Sequence, residues 1–293
     1  MDKFSFSGHE TFACKQYWLK KGYDFVKKEK SFRDPHAVID LGVGKNMVAS
    51  IRFWMKAFGL TNDEDHLNEM AEYLFGENGK DVFLEDLGTL WLLHYQIVKT
   101  KKASIYSLVF NQLRRERMSF TREQLMSFLE RKCEETGSMF NEKTVTNDVK
   151  VFLNNYTKNS SKTKVDVEED FSKLLLDLRL IRHFQDTSED KLLDVYEINY
   201  NAQEDLPAEI FLFSILDNYN YSSSISFKEL TVENDSPGIV FSINRDGIAD
   251  KIEQLTEMYS GITFSQTAGN QVLQFKTKPD KWEVLNNYYD SRN

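Results

Sequence analysis

Apolar positions recur every three or four residues through most of the chain and alternate in only a few short stretches. The first spacing predicts amphipathic helices and the second predicts strands. It gives a first helix or broken helix pair over residues 12–30 and another helix over 64–75. Residues 87–98, "LGTLWLLHYQIV", are apolar nearly all round and predict a central buried helix. The stretch "DPHAVIDLGVGKNMVASIRFWMKAFGL" reads as a short helix with Asp34 as N-cap and Pro35 in its first turn, a turn at Leu41-Gly42-Val43, and a second helix closing at Gly59. On that second helix Met47, Val48, Ile51, Trp54, Met55 and Phe58 share one side, while Lys45, Asn46, Ser50, Arg52 and Lys56 share the other. This is the order of a helix-turn-helix, whose second helix is presented to the major groove. An antiparallel helix pair inside a core would show the same apolar face.

A similar cycle follows. "SIYSLVFNQL" is helical, and Thr121 with Gln124 three places on predicts a capping box for a helix that Gly137 ends. "NEKTVTNDVKVFLNNY" then buries Val145, Val149 and Phe152 and turns Lys143, Thr146, Asn147 and Lys150 outward, a weaker candidate for a second recognition helix. "GENGKDVFLED", residues 76–86, reads as a hairpin able to serve as a wing. The polar tract 157–164, "TKNSSKTK", marks a linker. Beyond it "DFSKLLLDLRLI" predicts a helix, "KLLDVYEINY" a strand, "LPAEIFLFSILDNY" a helix started by Pro207, and the end of the chain short helices capped at Asn244 or Asp246 before two strands joined at 268–270. The expected fold class is therefore mainly α with small β-hairpins (α+β), built of repeated winged-helix-like units. The expected parts are a DNA-binding helix-turn-helix domain over 1–98, a second helical unit with its linker over 99–164, and an α+β winged-helix-like domain over 165–293 suited to partner docking.

Charge sharpens the picture. A net charge of −9 opposes DNA binding if spread evenly, because phosphate contacts supply much of the affinity. It is not spread evenly: residues 1–60 carry eleven Lys/Arg against six Asp/Glu, and residues 99–122 carry seven against one. The second cluster, with Lys99, Lys101, Lys102, Arg114, Arg115 and Arg117, falls at two helix C-termini, where the dipole favours cations whatever the function. Three at each end exceed that need and extend the expected DNA-binding set. Solvated helix faces would carry the same clusters.

Other chemistry is limited. Gly44-Lys45 imitates a phosphate-binding loop, but Ile39 stands where the first glycine belongs and Asn46 where the hydroxyl belongs, so no nucleotide site is expected. Cys14 and Cys133 form no C-x-x-C pair, which argues against zinc and against a disulfide framework. No apolar run reaches membrane-spanning length and the N-terminal residues lack a signal-peptide pattern, so a cytoplasmic protein without membrane partners is expected.

Three blocks, "FSGHETFACKQYWLKKGYDFV", "AVIDLGVGKNMVASIRFWMKAFGL" and "FLEDLGTLWLLHYQIV", together with "SPGIVF" and "TAGNQVLQF", carry a resemblance. The chain resembles a family of bacterial proteins encoded beside sulfurtransferase-type enzymes of DNA phosphorothioation. The resemblance implies double-stranded DNA as a ligand, and a phosphoadenylyl-sulfate-reductase-like sulfurtransferase and an ATPase as partners. It also implies a role in antiviral defence, with strand nicking. Nicking would call for carboxylates holding Mg²⁺ or Mn²⁺. The candidate catalytic residues are His9, Glu10, Glu85 and Asp86, with His94 behind them; none forms a known nuclease spacing, and Glu85-Asp86 also reads as the start of a helix. Three readings stand: a DNA-binding component that nicks one strand for modification, a non-enzymatic scaffold for the sulfurtransferase and ATPase, and a transcriptional regulator.

Overall fold

A computed structural model describes residues 3–158, 173–186, 192–267 and 269–292. Two compact units divide the chain, Met1–Asn199 and Tyr200–Asn293. The predicted linker falls almost wholly outside the described residues. The segment from Lys173 to Ile198 belongs with the first unit, because its hairpin pairs with a strand there.

The first unit is built around α5 (Leu87–Thr100), in which every side chain from Gly88 to Val98 is buried, as its apolar run predicts. Before it come α1 (Gln16–Lys27), α2 (Ala37–Leu41), α3 (Lys45–Ala57) and α4 (Glu69–Phe75). The α2–α3 turn is sharp because Gly42 takes a left-handed conformation, with φ 61°. Helix α3 packs against α1, α2 and α5, and its apolar stripe of Val48, Ile51, Trp54 and Met55 is buried as expected. No hairpin forms over 76–86; that expectation fails because the segment folds back on α4. The amides of Lys80 and Asp81 donate to the carbonyls of Tyr73 and Leu74, and a Cβ on Gly79 would lie 2.4 Å from the Leu74 carbonyl oxygen.

A helix–strand–helix–helix–hairpin series completes this unit. Helix α6 (Ser104–Leu108) runs through a π-helical turn into α7 (Arg114–Glu116), followed by β1 (Ser119–Phe120), α8 (Arg122–Thr136), α9 (Glu142–Tyr156), β2 (Ile181–Asp186) and β3 (Leu193–Ile198). The sheet is antiparallel in the order β1-β3-β2, with Phe120 opposite Tyr196 and Ile181 opposite Ile198. The capping box of Thr121 and Gln124 and the Gly137 stop are both present. Where a helix was expected over 170–181, the described part is a 3₁₀ turn, Leu176–Leu178, leading into β2.

The second unit has three helices between its first strand and its hairpin: α10 (Ala208–Leu216), β4 (Ser224–Ser226), α11 (Phe227–Val232), α12 (Pro237–Val240), α13 (Arg245–Met258), then the hairpin β5 (Ile262–Thr267) and β6 (Asn270–Phe275), closed by α14 (Lys281–Asp290). Its sheet order, β4-β6-β5, matches that of the first unit in putting the last strand in the middle. The chain is thus mainly helical with two small three-stranded antiparallel sheets.

Candidate nucleic-acid interface

Helix α3 does present Lys45 and Asn46 to solvent, and neither side chain has a partner among the described residues. Its C-terminal half differs from the expectation. Asp65, in the loop between α3 and α4, accepts from Arg52 Nε at 2.8 and 2.9 Å and from Lys56 Nζ at 2.9 Å. Burial alone would raise the Asp65 carboxyl, but the Arg52 and Lys56 hydrogen bonds and charges together hold it below its ordinary value. Asp63 in the same loop accepts from Lys102 at 2.7 Å, and that contact lowers its carboxyl too. Arg52, Lys56 and Lys102 are thus neutralised from within. Ser50 is a correction: it is 0% exposed, because neighbours on several sides of α3 bury more of it than the apolar stripe alone.

The remaining cations of the second cluster divide. Lys101 is exposed at the C-terminus of α5 in a left-handed conformation, and Arg115 and Arg117 are exposed at the end of α7. Arg114 is half-buried, with its Nε fully covered.

The candidate catalytic residues are not brought together. His9 is buried: its Nδ1 accepts from the Thr11 amide at 3.2 Å, which places the ring proton on Nε2, 3.0 Å from Asp148 Oδ1. Asp148 also accepts from the Ser7 amide at 2.8 Å, and the His9 ring stacks on Trp54. The pair pins the N-terminal segment to α9. Glu10 points to solvent, as does Glu85. Asp86 caps α5 by accepting from the Thr89 amide, and Asp81 in turn accepts from the amides of Glu85 and Asp86. His94 is fully buried, 2.8 Å from the Tyr156 hydroxyl, which burial holds well above its usual range and so keeps protonated. Among the described residues no group of three or more His, Cys, Asp or Glu side chains is placed to hold a metal ion.

Helix α9 offers a freer surface. Lys143, Thr146 and Lys150 are exposed and Asn147 half-exposed on one side, with Val145, Val149 and Phe152 buried on the other. Neither lysine has a partner among the described residues. The signal for this face was the periodicity of "NEKTVTNDVKVFLNNY" itself; what the sequence did not show was that α9 packs against β2 of the paired hairpin. In the second unit the helix before the hairpin, α13, exposes Asp246, Asp250, Glu253 and Glu257 instead.

No helix of the described residues is long and apolar enough to cross a membrane. The family model DUF4007, described as a protein of unknown function, matches residues 6–289. Two solved structures are similar over nearly the whole chain. One is a magnesium-ion-bound SspB crystal structure, with a TM-score of 0.84 and 28% identity, covering 98% of this chain and 88% of that one. The other is an SspB crystal structure with a TM-score of 0.83 and the same identity and coverage. No curated protein matches the chain.

Proposed function

We propose, from the premise that the chain belongs to the DUF4007 family and is similar in fold to SspB, that it is a DNA-binding component of a bacterial DNA phosphorothioation system and meets duplex DNA through the first unit. The resemblance of its N-terminal blocks to proteins encoded with phosphorothioation enzymes supports the system. One observation supports the binding face: α9 packs against α8 on one side and against β2 of the antiparallel hairpin on another, with Lys143 and Lys150 outward and without a partner among the described residues. A helix in that place in a winged-helix-like unit is the one that enters the major groove, with the hairpin β2–β3 as its wing. Lys45 and Asn46 at the start of α3 extend the contact.

The test is binding of a labelled duplex by fluorescence anisotropy across a salt series. Replacing Lys143 and Lys150 together by Ala should weaken binding at low salt about tenfold. It should also flatten the logarithmic salt slope by about two, near 0.9 per lost phosphate contact. A double variant with unchanged affinity and slope removes α9 from the interface.

A second reading, docking of a sulfurtransferase or ATPase partner, is favoured for the second unit by one observation. The acidic outward face of α13 would be repelled by a phosphate backbone, so that face is suited to a protein surface. The two readings are compatible, one for each unit. Nicking stays outside both, since no set of residues is assigned to it.

A further inference from the structure

Beside the α2–α3 turn lies an open cavity of about 460 Å³, walled by α1, α2 and the segment around Phe83. Its rim combines two exposed aromatic rings with lysines. Tyr17 is 61% exposed and Phe83 55% exposed, while Lys20, Lys21 and Lys28 follow along α1. The rings are held out by the backbone. Leu84, next to Phe83, has a φ of 56°, an uncommon conformation for leucine, and its own side chain is buried. Gln16 Nε2 donates to the carbonyls of Phe83 and Leu84 at 3.1 and 3.3 Å, fastening this segment to the start of α1 beside Tyr17.

Two carboxylates share the lining with the lysines: Asp24 beside Lys20, and Asp40 held by Lys30 at 2.6 Å. Lys20 is paired with Asp24, and Lys21 donates to the Leu41 carbonyl at 3.0 Å, so both are fixed in place. Lys28 is exposed and has no partner among the described residues. Flat rings at a concave site with cations along one wall suit stacked bases joined by phosphates, and the cavity has room for a nucleotide. A base paired within a duplex has no free face to offer such rings.

We infer that this cavity binds an unpaired stretch of DNA, stacking bases on Tyr17 and Phe83 and setting its phosphates against Lys28. The inference rests on the DNA-binding reading above and adds to it a single-strand site walled by α1 and α2, where the main duplex contact is assigned to α9. The duplex face reads or grips paired DNA; the cavity holds nucleotides that have left the helix.

The test uses the full chain, a fluorescein-labelled oligothymidylate and a labelled duplex, each titrated by anisotropy. Tyr17→Ala and Phe83→Ala change exposed rings, and thermal melting checks that both variants fold. Each should weaken oligothymidylate binding between about five- and a hundredfold, from the usual value of one stacked base, while duplex affinity stays unchanged. Lys28→Gln should flatten the single-strand salt slope by about 0.7. Aromatic variants that bind oligothymidylate like the parent overturn the inference while duplex binding persists, leaving the proposed function intact. Equal losses on duplex and single strand also overturn it, as does inorganic polyphosphate competing as well as oligothymidylate of equal charge. A parent chain that binds neither DNA refutes the proposed function together with this site.

Discussion

Replacing Asp65 by Asn tests whether α3 is held closed by its own loop. The substitution keeps the side-chain shape and one carbonyl oxygen but removes the charge shared by Arg52 and Lys56. A hydrogen bond to a charged group contributes roughly 1.5–3 kcal/mol when buried, and an exposed ion pair about 0–1 kcal/mol. Asp65 is 16% exposed and the two cations 29% and 18%, so this network lies between those limits. Its loss should cost about 2 kcal/mol. At ~2–4 °C per kcal/mol for a unit of this size, the melting transition of the first unit should fall by about 4–8 °C at neutral pH. The pH dependence has a definite sign. The folded carboxyl titrates below its ordinary value of 3.8, so the contribution is complete above that value and is lost as pH falls through the lower folded one. The gap between parent and variant, followed by calorimetry, should therefore narrow between pH 6 and pH 3. An Asp65→Asn protein melting within about 1 °C of the parent at neutral pH, or a gap as wide at pH 3 as at pH 6, refutes the reasoning. The variant also frees two cations on α3, and its duplex affinity at low salt should rise a few-fold if they then reach phosphate; an unchanged affinity places them outside the interface.

Two further outcomes follow from the core. Trp54→Ala should destabilise the first unit by roughly 3–5 kcal/mol, since the ring is fully buried and its Nε1 donates to the Phe12 carbonyl; a normal melt would show that α3 is oriented differently. His9→Ala leaves the buried Asp148 without its imidazole partner and should cost about 3–5 kcal/mol, whereas Glu10→Ala, on an exposed side chain, should stay within about 0.5 kcal/mol. Similar melting of the two variants would show that the His9–Asp148 pair is not structural.

Local signals were legible where they depend on neighbours in sequence. The apolar run of α5, the Thr121–Gln124 box, the Asn244 cap and the left-handed Gly42 turn all require only residues within one turn of helix. The outward arc of α3 was legible too, apart from Ser50. What periodicity does not carry is the return of a distant loop. Arg52 and Lys56 fall on the polar side of α3 as the spacing predicts, yet Asp65 folds back from beyond the helix to hold both. The lost hairpin at 76–86 has the same origin, since its backbone partners are the carbonyls of α4 rather than an opposing strand. The rings of Tyr17 and Phe83 lie far apart in sequence, and their shared cavity became visible only through Gln16.

The N-terminal segment that His9 pins to α9 also sets an order of events during synthesis. The Ser7 amide and His9 are bound by Asp148, and the Cys14 amide by Asn155, partners 139–141 residues later in the chain. At about 5–20 residues per second, a ribosome takes on the order of ten seconds to deliver them. Throughout that interval the segment around Ser7, His9 and Cys14 has emerged without the partners on α9 that fix it. The opening residues therefore wait for α9 and are set in place by a late closure.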